Sequence, residues 1–116
     1  MYSFGNVRES IDGHVWYSGN SSRQTQPVGS KEPNAFGLHD MHGNVWEWCE
    51  DYWAFGYEDC PRDGSAHWDP GEKHWRVLKG GAAYLDATAS RAGRKHSENP
   101  QTKYTQRGFR IARDVD

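Results

Sequence analysis

The chain has 116 residues and a mass of 13.3 kDa, which leaves room for no more than one domain. Its 14 Lys and Arg stand against 16 Asp and Glu, a formal charge of −2, and a nucleic-acid module would carry a basic excess instead. Hydrophobic residues make up only 34% and mean hydropathy is −1.05; that alone would suggest disorder, but 6 Trp and 6 Tyr each bring a large apolar area to bury, so a small, loop-rich fold with an aromatic core is expected.

The N-terminus, Met1-Tyr2-Ser3-Phe4-Gly5-Asn6, lacks the basic start and apolar stretch of a signal peptide. No apolar run approaches the roughly 20 residues of a membrane span, so no membrane contact and a cytoplasmic location are expected. Residues 5–34 read as a loop, with a weak helical turn over residues 30–34 as the best helix candidate. Val45-Trp46-Glu47-Trp48-Cys49 alternates as a strand, with Trp46 and Trp48 on one face and Val45, Glu47 and Cys49 on the other. A second long loop covers residues 50–74. Trp75-Arg76-Val77-Leu78-Lys79 is a strand that stops at Gly80-Gly81, a pair that permits positive φ or a close backbone approach. Residues 87–94 are a further strand candidate. Residues 108–113 alternate Phe109 and Ile111 against Arg110 and Ala112. Loops as long as the two here are usually functional or need something to pin them.

The densest segment runs Pro33-Asn34-Ala35-Phe36-Gly37-Leu38-His39-Asp40-Met41-His42-Gly43-Asn44-Val45-Trp46-Glu47-Trp48. A hard cation such as calcium takes about 6–8 oxygens from carboxylates, amides and carbonyls. Asp40 and Glu47 offer carboxylates, and a glycine turn can point carbonyls inward. Spacing alone leaves open a tight turn with Glu47 buried against an arginine. A zinc site built from His39, His42 and Cys49 with Cys60 or His67 lacks a close ligand pair at its second end, and exposed histidines are the simpler reading.

Cys49 and Cys60 make no disulfide framework. Two reduced thiols are the simpler reading than one bridge, and neither thiol sits beside a cationic helix start that would activate it. No phosphate loop or dinucleotide fingerprint is present. The C-terminal basic set, Arg91, Arg94, Lys95, His96, Lys103, Arg107, Arg110 and Arg113, could bind an anion with Tyr104. Ion pairing with the acidic residues 50–63 is the plainer expectation.

Four blocks then carry a resemblance. Thr25-Gln26-Pro27-Val28-Gly29, the segment from Pro33 to Cys49, Arg76-Val77-Leu78-Lys79-Gly80-Gly81, and Arg107-Gly108-Phe109-Arg110-Ile111-Ala112-Arg113 resemble, in this order, the formylglycine-generating enzyme family, also called the sulfatase-modifying factor domain. Gly-Asn-Val-Trp-Glu-Trp is the most specific of these motifs. The resemblance implies an α+β, loop-rich, C-type-lectin-like fold with short mixed strands and little helix. It also implies calcium held by the side chains of Asp40 and Glu47 and the carbonyls of Gly43 and Val45.

Two departures follow from the same resemblance. Catalytic members use a copper-binding cysteine pair shortly after the Gly-Gly block, whereas residues 80–94 contain no cysteine. The family domain is also about twice as long, and this chain matches its C-terminal part; a second calcium site of longer members has no counterpart here. The expected function is therefore a non-catalytic, calcium-stabilised binding or scaffold module. The alternative is an enzyme or maturation factor of the family, formylglycine-generating or sulfoxide-synthase-like, or a fragment of one. By fold-level analogy the ligand surface lies between Ala82 and Gln106, with Tyr84, Asp86, Arg91, His96 and Tyr104 as candidates for a protein or small-molecule ligand. A half-length domain with six Trp should leave apolar surface uncovered, so a homodimer is expected, with residues 108–113 as the edge.

Overall fold

The computed structural model describes residues 1–5, 10–69 and 73–115. Regular structure among them is sparse: a one-turn helix α1 (Ile11–His14), strands β1 (Trp46–Tyr52), β2 (Arg76–Lys79), β3 (His96–Glu98) and β4 (Arg107–Gly108), and a 3-10 turn at Ala87–Ser90. The strands form one sheet in the order β3-β2-β1-β4. β2 runs antiparallel to β1, with Trp48 opposite Leu78, and to β3, with Val77 opposite Ser97. β4 pairs parallel to β1, with Trp46 opposite Arg107. The result is the small, loop-rich α+β domain with a mixed sheet that the sequence implied.

β1 forms because its aromatics alternate. Trp46 is buried with Leu78 and Ala82, and Trp48 packs against that cluster. Register shifts between Trp48 and Tyr52, and such a bulge bends the strand. β2 ends where expected, at Gly80 (φ +95°) and Gly81 (φ +81°). A Cβ on Gly81 would strike the Ser90 side chain and lie 2.9 Å from the Ser90 Cα, so the turn needs glycine for both conformation and space.

Several expectations are corrected. Among the described residues the fully buried hydrophobics are Val15, Trp46, Val77, Leu78, Ala82 and Ala83; Trp46 is the one aromatic ring of that set, and Trp48 and Tyr84 pack on it partly buried, so aromatic and aliphatic residues share the core. Residues 30–34 are not helical; the helical turn is α1. Residues 87–94 hold the 3-10 turn instead of a strand. It starts there because the Asp86 side chain accepts from the Thr88 N–H, a local bond that competes with extended backbone. The C-terminal strand stops at Gly108, and Phe109 and Ile111 beyond it are exposed.

Both long loops are pinned. Asn44 adopts φ +64° and is buried. Its Oδ1 accepts from the Gln26 N–H (2.9 Å) and its Nδ2 donates to the Gln26 carbonyl (3.1 Å), a backbone-mimicking pair that ties the first loop to the turn before β1. Ser21 Oγ donates to the Ala83 carbonyl (2.7 Å). In the second loop, Lys95 Nζ donates to the carbonyls of Ala54 and Gly56, and Tyr57 Oη donates to the Gly93 carbonyl.

Candidate functional site

The turn before β1 is built on left-handed backbone at Asp40 (φ 54°), Gly43 (φ 80°) and Asn44 (φ 64°). The Gly43 N–H donates to the Gly80 carbonyl (2.6 Å) and the Asn44 N–H to the Trp16 carbonyl (2.8 Å). Asp40, Gly43, Val45 and Glu47, the four proposed calcium ligands, all line one cavity of about 420 Å³ together with Val28, Leu38, Phe109 and Arg110. Arg110 enters it as a fork. Its Nε and Nη2 donate to the two Glu47 carboxylate oxygens (2.9 and 2.6 Å), and its remaining N–H groups reach the carbonyls of His39 (3.0 Å) and Asp40 (3.2 Å). The hydrogen bond to Glu47 raises the Arg110 pKa above its ordinary value. Asp40 Oδ2 accepts from the Gly29 N–H (2.7 Å).

Glu47 is thus paired with an arginine, the arrangement that spacing had left open. A carboxylate has about four acceptor sites, and the Arg110 fork fills two. Among the described residues no three His, Cys, Asp or Glu side chains gather as a ligand cluster. A cation at this turn would draw on two carboxylates and backbone carbonyls. That donor set is all oxygen and fits calcium rather than a softer metal.

A second cavity, of about 350 Å³, lies beside the 3-10 turn. Trp46, Tyr84, Leu85, Asp86, Arg91, Arg94 and His96 all face it. Four of the five expected ligand-facing residues, Tyr84, Asp86, Arg91 and His96, therefore come together. Tyr104 does not: it is exposed and its ring lies 5.0 Å from the Arg107 guanidinium. The Asp86 carboxylate accepts from Thr88 Oγ1 and from the Thr88 N–H, which together hold its pKa below the usual value. Trp46 and Arg94 were missed as site residues. Trp46 reads as core in an alternating strand, and Arg94 reads as one of many cations.

The basic set does not pair with residues 50–63 as expected. The described ion pairs of this set are Arg107 with Glu98 and Arg110 with Glu47. Toward that loop Lys95 reaches carbonyls and lies over the Trp53 and Tyr57 rings.

The histidines are not all exposed. His42 is buried; its Nε2 accepts from the Ser3 N–H (2.8 Å), so its Nδ1 carries the proton and donates to the Ser90 carbonyl (2.5 Å). Burial lowers its pKa, an effect only partly offset by the Ser90 bond. His39 bonds the Lys31 carbonyl (2.8 Å). Cys49 and Cys60 are unbridged and line a third cavity, of about 280 Å³, with Tyr57, Val77, Lys79 and Lys95. Burial pushes the Cys49 thiol pKa up, the opposite of nucleophile activation. No helix among the described residues is long and apolar enough to cross a membrane.

Comparison with known proteins agrees with this architecture. Residues 4–115 match the model of the sulfatase-modifying factor enzyme 1-like domain. The chain is 36% identical over 117 aligned residues to a formylglycine-generating enzyme of Streptomyces coelicolor, covering 97% of this chain and 34% of that enzyme. It is 38% identical over 95 residues to the serine/threonine-protein kinase pkn1 of Chlamydia caviae, covering 81% of this chain but 15% of the kinase. The solved structure of PvdO from Pseudomonas aeruginosa superposes with a TM-score of 0.79 at 35% identity, covering 94% of this chain and 42% of that one. The chain thus spans less than half the length of each of these proteins. From the glycine-rich turn into β1 to the match that runs nearly end to end, the chain belongs to the sulfatase-modifying factor family, that of the formylglycine-generating enzymes.

Proposed function

We propose that this chain is a non-catalytic, calcium-stabilised binding module of the family, with its ligand in the cavity beside the 3-10 turn. One observation carries the reading. The chain that follows Gly80-Gly81 delivers Tyr84, Asp86, Arg91 and His96 to a shared cavity and brings no thiol there, while Cys49 and Cys60 line a different one. Without a thiol pair the cavity lacks the copper-binding thiolates that the resemblance assigns to catalytic members, which supports the non-catalytic reading. What remains is an open pocket with an apolar floor and a charged rim, the usual form of a small-ligand site.

Calcium in this reading is structural. Asp40 and Glu47 supply carboxylate oxygens and Gly43 and Val45 carbonyl oxygens, and the ion contributes charge that fixes the turn from which β1 starts. A cation that binds only the folded state stabilises it by roughly 2.7 kcal/mol at a hundredfold excess over its dissociation constant. The test is a thermal melt of the purified chain with calcium and with a chelator. Chelation should lower the Tm, and Glu47→Ala should abolish the difference; an unchanged Tm in protein first stripped of metal would remove calcium from the reading. A sulfatase-motif peptide incubated with the chain and copper should stay unmodified, and detection of formylglycine would overturn the non-catalytic part.

The module is also proposed to act as a homodimer, which light scattering at low micromolar concentration measures directly. Phe109, Ile111 and Val115 are 75%, 87% and 92% exposed on the C-terminal segment, apolar surface that a second copy would cover. A monomeric mass with a cooperative melt would show that the chain needs no such cover.

A further inference from the structure

We infer that the cavity between Trp46 and Arg94 selects a small organic carboxylate: an acid group on the Arg91 and Arg94 guanidinium groups, with a flat apolar body against Trp46, Tyr84 and Leu85. This rests on the reading of that cavity as a ligand site and adds the ligand's chemical class.

The charge is local and only partly offset: Arg91 acts electrostatically on Asp86 in the same lining, but the two form no ion pair. The chain as a whole is at −2, yet two guanidinium groups face this one cavity. They share a turn closed by the Arg94 N–H donating to the Arg91 carbonyl (2.9 Å). Arg91 spends only its Nε, on the Thr88 carbonyl (3.1 Å), leaving its outer nitrogens for a ligand. The described ion pairs of the molecule are His14 with Glu32, Arg107 with Glu98 and Arg110 with Glu47, so neither Arg91 nor Arg94 is neutralised by one. The carboxylate on the rim, Asp86, is engaged by both donors of Thr88. A guanidinium presents parallel N–H donors that match a carboxylate, and such charge-assisted pairs are roughly twice as strong as neutral hydrogen bonds.

The floor favours an organic acid over a bare anion. Trp46 is buried beneath the cavity and Tyr84 and Leu85 pack on the same cluster. The His96 ring stands 5.6 Å from the Trp46 ring at 32°, which gives the pocket an aromatic wall. A volume near 350 Å³ is at the small end of ligand sites. The carboxylate could belong to a free acid or to the end of a peptide, and the two present the same group.

The experiment titrates the chain with benzoate, its neutral isostere benzamide, inorganic phosphate, and a hexapeptide ending in phenylalanine as the free acid. Side-chain NMR signals of Trp46 and of the arginine Nε–H groups report occupancy. Benzoate or the peptide should bind at least about tenfold more tightly than benzamide, and Arg91→Gln and Arg94→Gln should each cost about tenfold, equivalent to 1.4 kcal/mol, with unchanged Tm because both side chains lie on the exposed rim. Whichever of benzoate and peptide binds more tightly tells a free acid from a chain end. Equal binding of benzoate and benzamide, both lost in Tyr84→Ala, would leave the pocket a ligand site and overturn the carboxylate. Phosphate binding as well as benzoate would overturn the role of the aromatic floor. No response to any probe at millimolar concentration would overturn both the inference and the site on which it rests.

Discussion

Replacing Arg110 with Gln tests how the turn before β1 is held. The guanidinium makes two bonds to Glu47 and one each to the His39 and Asp40 carbonyls, so it clamps the start of the turn to the start of β1. Bonds to charged groups contribute roughly 1.5–3 kcal/mol when shielded, whereas exposed ion pairs contribute about 0–1 kcal/mol. The Arg110 and Glu47 side chains are 32% and 21% exposed, between those limits. A loss of about 2 kcal/mol is therefore expected for the whole fork, or about 8 °C in Tm for a chain of this size. Urea denaturation followed by Trp fluorescence gives the free energy, and a double-mutant cycle with Glu47→Gln isolates the pair. The coupling should reach about 1 kcal/mol, since the charge-assisted pair between Arg110 and Glu47 is lost in either single variant, whereas the bonds to the His39 and Asp40 carbonyls are lost only with Arg110. Calcium added to Arg110→Gln should restore part of the loss, because Glu47 is left without its counter-charge. A variant within about 0.5 kcal/mol of the parent, or strictly additive single changes, would refute the clamp.

Two other perturbations probe the same region. Gly43→Ala puts a methyl group against the Trp16 carbonyl oxygen and 2.8 Å from Val15 Cγ1, at φ +80°; backbone cannot yield there without breaking the Asn44–Trp16 hydrogen bond, so a loss on the order of 3 kcal/mol or more is expected, and a melt within about 2 °C of the parent would show that the turn relaxes. His42 is buried with a lowered pKa, so the unfolded chain binds its proton more readily than the folded one. Its contribution is therefore complete above the ordinary imidazole value near 6.5 and declines as pH falls from there through the lowered folded value. Melts between about pH 7.5 and pH 5 should show this decline, and His42→Gln should flatten it; an equal slope in the variant would assign the acid sensitivity elsewhere.

The sequence made the sheet's centre legible and its edges illegible. β1 carries alternating apolar residues, and β2 carries an adjacent Val77-Leu78 pair that ends at a glycine stop, features that act within the segment itself. β3 has no such pattern: His96-Ser97-Glu98 becomes a strand because β2 offers it an open edge. The C-terminal segment shows the reverse. Phe109-Arg110-Ile111 alternates well enough to suggest a strand, but Arg110 turns back to Glu47 and the ladder ends at Gly108. An ion pair 63 residues apart in sequence leaves no local trace beyond the two charges. The Gly-Asn motif was visible, but the work of Asn44, holding Gln26 across a loop, could be read only once the loop was in place.

That return of Arg110 also bears on how copies of the chain would meet. The cavity it enters is rimmed by Val28, Leu38 and Phe109, which are 84%, 45% and 75% exposed. The arginine fork fixes Phe109 by its immediate neighbour in the chain, and the Gly29 N–H bond to Asp40 fixes Val28 in the same way. The apolar residues of the rim thus stay exposed beside a turn whose polar groups are bonded. A partner covering that rim would exclude water from Glu47 and Arg110 and strengthen their pairing, because charges attract more strongly as the surrounding dielectric falls. Assembly and turn stability would then be coupled. In a dimer that uses this face, Arg110→Gln should lower both the Tm and the fraction of dimer at a given concentration, whereas an interface elsewhere on the chain would lose stability in that variant and keep its mass.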